Sequence, residues 1–322
     1  MYSNEWQPTA SLTNLRQRAE LFKSIRHFFD QRNVMEVDTQ ILSHCAVSDP
    51  FIDSLSVEYR PHPNADGQFL HLQTSPEYAM KRLLASGSGD IYQLGKVFRN
   101  GEVGRRHNPE FTMLEWYRLG FSLEDLMDEV EDLVKTQIAD LPWRRVSYRE
   151  LFIDVLQLDP FTASLQELQY ACRQQVEASF DDDDRDTWLN LLMSHIIEPQ
   201  LTGAVFVHSY PPSQAALACV HPDSTGAQVS ERFELYLDGL ELANGYHELA
   251  NPQEQSQRLT ADQQQRALLG LPQRPLERRL VKALEHGLPE CSGVALGVDR
   301  LLMRMLKAES IAEVIPFGFE RA

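Results

Sequence analysis

The sequence predicts an α+β fold in which mostly antiparallel strands have helices before, between and after them. Two observations carry this. Segments of strand periodicity come as adjacent pairs, 91–99 with 110–119 and 232–237 with 240–249, which is hairpin order. Helical periodicity brackets them without the regular strand–helix alternation of a parallel α/β sheet. Neither GxGxxG nor GxxxxGK[ST] occurs, so neither dinucleotide nor P-loop nucleotide binding is indicated.

Each element has its own signal. Leu12, Leu15, Ala19, Phe22, Ile25 and Phe29 recur at spacings of three and four, predicting an amphipathic helix over 11–32. Residues 34–40 alternate as a short strand. Residues 51–59 and 69–73 read as strands joined by a Pro/Asn/Gly loop. The segment 76–87 has Pro76 at its start, Lys81 and Arg82 late and a glycine stop, the marks of a short helix. The polar, glycine-containing stretch 100–109 is a basic connection between two strands. Residues 122–200 read as a mainly helical insertion holding the acidic run 181–184, which suits the N-terminus of a helix running from Arg185 toward Ile197. Short apolar runs over 203–220 are broken by Pro211 and Pro212. Asp238-Gly239 marks a two-residue turn. That turn sets Leu237 opposite Leu240, Tyr236 opposite Glu241 and Glu234 opposite Ala243, with Glu234 and Glu241 on one face. Residues 253–285 are polar and helical with a break at 273–276, and 291–306 is a glycine-rich strand running into a helix.

The 322 residues suit one large domain or two smaller ones, and a 43% hydrophobic fraction can fill a core. No apolar run approaches the roughly 18 residues of a spanning helix, and the N-terminus lacks the order of a secretory signal. Cys45, Cys172, Cys219 and Cys291 lie far apart with no CxxC pair, which fits reduced thiols in the cytoplasm. With no HExxH and no Cys/His ladder, no zinc site is expected. The formal charge of −17, from 47 acidic and 30 basic residues, repels a polyanion. A macromolecular partner is therefore expected to be a protein with a basic patch rather than RNA.

Four clusters could carry chemistry. Arg99, Arg106, His107 and Phe111 could close over phosphates and stack on a base, or form a solvated loop beside a core phenylalanine. Arg300 starts a helix against its dipole, which a bound anion would offset; the plainer account is an ion pair with Asp299 or another carboxylate. Glu234 and Glu241 could share Mg²⁺ on ATP phosphates, or be two exposed glutamates. Glu77, Glu115, Tyr117 and Glu248 could receive an ammonium group, or form internal bridges to Arg or Lys.

Taken in order, these segments resemble the catalytic core of class II aminoacyl-tRNA synthetases, the lysyl type most closely. The resemblance rests on ELFKSIRHFFDQRNVMEVDTQIL (20–42), VFRNGEVGRRHNPEFTMLEWY (97–117), ERFELYLDGLELANGYHEL (231–249) and SGVALGVDR (292–300). It implies one catalytic domain over 1–322, a six- to seven-stranded antiparallel sheet flanked by helices, and a homodimer built through the first motif. It assigns the ATP α-phosphate to Arg99, the outer phosphates to Arg106 or His107, adenine stacking to Phe111, and the γ-phosphate to Arg300. Asn100, Gly101, Asn108, Leu242 and Gly297 would frame the nucleotide, and Glu234 and Glu241 would take Mg²⁺. Ser75, Pro76, Glu77, Glu115, Tyr117, Asn244, Glu248 and Ala295 would meet a lysine-like substrate.

The chain departs from the lysyl pattern in specific places. The first motif begins at residue 20, so no anticodon-binding domain is expected. Ala295 stands where the third motif normally has glycine, Thr39-Gln40 replaces Thr-Pro, and Gly101 replaces a glutamate, with Glu102 adjacent. The missing domain and Ala295 resemble the stand-alone branch of the family that modifies bacterial translation elongation factor P. That resemblance implies activation of (R)-β-lysine with ATP, transfer to a lysine of the factor, and no use of tRNA. The alternatives are a truncated enzyme using α-lysine with tRNA or a small acceptor, and a non-catalytic interaction protein descended from a synthetase.

Overall fold

A computed structural model describes residues 6–176 and 182–322. Helix α1 (Leu12–Asp30) starts where the Ser11 hydroxyl accepts from the Asn14 amide, and it buries Leu21, Ile25, Phe28 and Phe29. Strands β1 (Met35–Glu36), β2 (Leu42–Ser43), β3 (Ser56–Tyr59) and β4 (Gln68–Leu72) follow. Then come α2 (Glu77–Ala85), β5 (Ile91–Phe98) and β6 (Glu110–Leu119). Next are α3 (Leu123–Lys135), β7 (Trp143–Ser147), α4 (Tyr148–Leu156), α5 (Leu165–Gln175) and α6 (Arg185–Leu192). Strands β8 (Ala204–Tyr210), β9 (Val220–Pro222), β10 (Gln228–Leu237) and β11 (Leu240–His247) come next. The chain closes with α7 (Pro252–Leu268), α8 (Arg278–Gly287), β12 (Cys291–Gly297) and α9 (Val298–Leu306).

Several expectations shift. The strand expected at 51–59 begins only at Ser56. The segment 122–200 is mainly helical but contains β7, whose alternation is interrupted by Arg144-Arg145. The helix from Arg185 ends in a wider π-turn over Met193–Ile197. Of the acidic run, Asp181 lies outside the described residues, while Asp184 caps α6 by accepting from the Asp186 amide.

By contact the chain divides into two units, one holding residues up to Gly120 together with Ala250–Ala322, the other Phe121–Leu249. In the first unit β1, β5, β6 and β12 lie side by side, β1 parallel to β5 and the rest antiparallel. A small separate sheet has the order β2-β4-β3. Phe29 of α1 stacks on Tyr92 with ring centroids 4.4 Å apart and meets Trp116 edge-on, fastening the helix to the sheet. Met80, Leu84, Ile91, Tyr117, Leu280 and Leu284 form another core beneath α2 and α8.

In the second unit the strand order is β11-β10-β8-β7, with β9 also on β10; β7 runs parallel to β8. A core including Tyr148, Phe152, Trp188, Leu192 and Ile197 packs α4 and α6 against this sheet. Asp238 and Gly239 both adopt positive φ, 46° and 69°, as a two-residue hairpin turn with strand-matching twist requires. Gly239 is required twice over, since a Cβ there would stand 2.5 Å from the Glu198 carbonyl oxygen.

The hairpin register corrects one expectation. Leu237 pairs with Leu240 and Tyr236 with Glu241, but a bulge follows, so Leu235 meets Ala243 and Glu234 meets Asn244. The extra residue, Leu242, advances Asn244 to the position opposite Glu234. A turn signal fixes only the first pairs; a bulge leaves no mark in the alternation.

Candidate active site

In the first unit, β5 delivers Arg99 and β6 delivers Phe111 from the two sides of the basic loop. The Arg99 amide donates to the Pro109 carbonyl at 2.9 Å, closing the loop's base. Its guanidinium sits over the Phe111 ring, 5.2 Å from the centroid, and reaches Glu102 only at 3.7 Å. Arg99 Nε is buried without a hydrogen-bond partner. A buried donor left unmade is costly, and an anion is the group that would satisfy it. Gly101 has φ 78°, where glutamate would be strained. The carboxylate one position later, on Glu102, is the one that faces Arg99. Asn100 is tied to Asp53 through both its amide and its side chain.

Further round the loop, Arg105 is fastened to Glu309, whereas Arg106 stays exposed. Asn108 is buried and acts on the backbone, donating to the Glu110 carbonyl and accepting from the Phe319 amide.

Arg300 lies in the first turn of α9 and donates to His107 Nε2 at 2.7 Å, which requires that ring nitrogen to be unprotonated. The neighbouring Asp299 is fully spent elsewhere. One of its oxygens takes Arg18 Nη1 at 2.5 Å and the other takes the Thr112 amide at 2.7 Å. Arg18 also donates to Thr112 Oγ1 and the Val314 carbonyl. This buried network ties α1, β6 and α9 together and turns Arg300 toward the basic loop. Arg18 and Thr112 carried no signal as site supports, because their partners lie far along the chain.

The register of β12 on β6 builds a row of small residues beside a row of large ones. Gly293, Ala295 and Gly297 lie directly across from Tyr117, Glu115 and Met113. Glu115 is 2% exposed, and its oxygens accept from Tyr117 Oη and Ser75 Oγ, each at 2.7 Å. Ser75 also accepts from the Glu77 amide, so the Ser-Pro-Glu turn at the head of α2 is built onto this carboxylate. Glu77 has the partner that the plainer account expected, Lys81 at 2.8 Å. Ala295 and Gly297 remain partly exposed, so this face of the sheet is open there.

The second unit carries Glu234 and Glu241, the two carboxylates expected to take Mg²⁺. Glu234 accepts from Arg232, Tyr210 Oη and Tyr236 Oη. Arg232, which sequence reasoning missed, stands two residues before Glu234 on the same strand face and also donates to Asn244 Oδ1 at 3.2 Å. Burial works against its charge, but Glu234 and the surrounding tyrosines outweigh it and hold the guanidinium protonated above its usual range. Burial, reinforced by Glu234, raises both tyrosines, so they stay donors. Glu241 is half-buried opposite Tyr236, and Leu242 is buried in the bulge. Glu248 is buried and bridged through its backbone to Ala218.

An antiparallel β-core, an arginine at the head of a glycine-bearing basic loop, and a second arginine opening the last helix together define a class II synthetase. The sequence matches the family of class II tRNA synthetases (D, K and N) over residues 6–321, and the chain belongs to that family. Within it, the chain is similar to the elongation factor P--(R)-beta-lysine ligase of Vibrio cholerae serotype O1, 49% identical over all of both chains. The protein of the same name from Vibrio campbellii is 48% identical over 98% of each chain. That from Haemophilus influenzae strain PittGG is 47% identical over 99% of each.

Proposed function

We propose that this chain is an ATP-dependent ligase that activates (R)-β-lysine as an adenylate and transfers it to the ε-amino group of one lysine of elongation factor P. The observation that carries the reading is Ala295 directly across from Glu115. Its methyl narrows the open row beside the carboxylate assigned to the substrate ammonium, at a position where the lysyl synthetases have glycine. The substrate carboxylate attacks the α-phosphorus of ATP in line, and pyrophosphate leaves. The acceptor amine then attacks the acyl carbonyl, AMP departs, and the amine's proton passes to solvent. No protein nucleophile is needed; catalysis is positioning and charge neutralisation.

In this reading Arg99, with its unsatisfied Nε, takes the α-phosphate, and Arg300 with His107 takes the outer phosphates. Phe111 stacks on adenine, with Asn100, Gly101, Arg106, Asn108, Leu242 and Gly297 around the nucleotide. Glu115, Tyr117, Ser75, Pro76, Glu77, Asn244 and Glu248 receive the amino acid. Glu241 and Glu234 supply the hard carboxylate oxygens that suit Mg²⁺, although Arg232 already compensates Glu234. Bound there, Mg²⁺ would neutralise charge on the phosphates.

We place the protein in the cytoplasm as a homodimer that does not use tRNA. Met35, Ile41 and Leu42 of the first motif are exposed apolar side chains, which supports assembly through that segment. The charge of −17 supports a protein substrate over RNA. No helix among the described residues is long and apolar enough to cross a membrane.

The test is the intact mass of elongation factor P after incubation with the protein, Mg-ATP and either (R)-β-lysine or α-lysine. One added lysyl unit, strongly favouring the β-isomer, is the expected result. No addition alongside intact ATP–pyrophosphate exchange would reject the acceptor, and loss of both in folded protein would leave the non-catalytic alternative.

A further inference from the structure

Among residues assigned neither to ATP nor to the amino acid, though His247 is next in sequence to Glu248, the second unit brings a thiol, a carboxylate and an imidazole together from three strands. Cys219 immediately precedes β9, Glu231 lies on β10, and His247 ends β11. One potential ligand atom from each lies within 4.8 Å of the other two. All three residues are part-exposed, so an ion can reach them. Backbone bonds fix their spacing. The Cys219 amide donates to the His247 carbonyl and the Glu231 amide to the Cys219 carbonyl, each at 2.9 Å. His221, two residues beyond Cys219, brings Nε2 to 3.5 Å from Glu231 Oε1. A surface His–Glu pair accounts for His221 and Glu231 alone; it does not account for the thiol and the second imidazole converging on the same carboxylate.

We propose that Cys219, Glu231 and His247 form a binding site for a thiophilic divalent metal of the zinc type, with His221 positioned to complete a fourfold set. Thiolate, imidazole and carboxylate are the ligands Zn²⁺ takes, at roughly 2.0–2.3 Å in tetrahedral geometry. That geometry needs ligand atoms roughly 3.3–3.8 Å apart, so closing the set takes side-chain adjustments of about an ångström. Mg²⁺ selects oxygen ligands and does not compete for a thiolate. Binding forms the metal–sulfur bond and releases the Cys219 proton to solvent. In the structure that thiol donates to the Glu248 carbonyl at 3.3 Å. Metal binding therefore withdraws a contact from the residue next to His247, and ties the end of β11 to β9 and β10 instead. No sequence motif announces this set, because its ligands are gathered by strand pairing rather than by local spacing.

The probe is Co²⁺, titrated into the full chain in excess Mg²⁺ and followed by absorbance. The expected result is one Co²⁺ per chain with a near-ultraviolet sulfur-to-cobalt charge-transfer band, both displaced by one equivalent of Zn²⁺. Cys219→Ser is expected to abolish the band, and Glu231→Gln to weaken Co²⁺ binding, with circular dichroism unchanged in each. Absence of a thiolate band in the unsubstituted protein would overturn the proposal, as would a band that persists in Cys219→Ser. Should Cys219→Ser not fold, Glu231→Gln decides, and unchanged Co²⁺ affinity there overturns the site.

Discussion

Replacing Asp299 with asparagine tests whether one buried carboxylate holds the two arginine-bearing motifs in place. The side chain keeps its shape, so packing is preserved and only charge and hydrogen bonding change. Asp299 is 1% exposed and meets two donors, Arg18 Nη1 at 2.5 Å and the Thr112 amide at 2.7 Å. The asparagine amide must turn its NH₂ toward one of them, placing donor against donor. Arg18, itself 8% exposed, also loses its countercharge. Removing one member of a buried pair costs about 3–5 kcal/mol, a large share of the roughly 5–15 kcal/mol that stabilises a domain. The unfolding constant should therefore rise by about two to three and a half decades, at roughly 1.4 kcal/mol per decade. Urea unfolding read by circular dichroism and by tryptophan fluorescence measures this, since Trp116 is fully buried beside Phe29. The transitions are fitted separately if the two units unfold apart. Adding Arg18→Met to Asp299→Asn should recover part of the loss, because the uncompensated charge goes with it. A single-variant loss below about 1 kcal/mol would refute the reasoning, since an isosteric change at a solvated carboxylate costs no more than that.

Two other outcomes are expected. Arg99→Gln should lower ATP–pyrophosphate exchange by about 10²–10³, the usual cost of one preorganised donor to developing charge, with circular dichroism unchanged; exchange within threefold of the parent protein would remove Arg99 from the reaction. Burial holds the His208 imidazole below its usual value of 6.5, against the pull of Glu150 and Glu124 and with Arg145 aiding the shift. A depressed histidine favours the neutral ring in the folded state, so its contribution is complete above pH 6.5 and is lost as pH falls toward the folded value. Urea midpoints should decline as pH is lowered below 6.5 and decline less in His208→Gln; identical slopes would exclude His208, leaving His71, which burial also depresses.

What could be read from the sequence follows the range of the interaction that fixes each feature. The hairpin turn at Asp238-Gly239 was legible because two residues determine it, and so were the first pairs beyond it. The bulge at Leu242 was not, and with it went the partner of Glu234. The candidate site divides along the same line. Arg99, Phe111, Glu115, Ala295 and Arg300 stand in contiguous segments whose order resembles a family, so they could be named without a structure. Ala295 gains meaning only from register, because its counterpart Glu115 lies on another strand, 180 positions earlier in the numbering. Arg18, Asp299 and Thr112 could not be paired from sequence at all, and an arginine on an amphipathic helix reads as a solvated face. Gly101 shows the converse. Read alone it is a glutamate missing from the position where the family pattern has one, with Glu102 adjacent to take its place. In the structure its positive φ turns the chain so that Glu102 faces Arg99. A substitution that looks like decay in a linear motif is therefore one residue of turn geometry, with the backbone presenting Glu102 to Arg99 where the family pattern has a glutamate one position earlier.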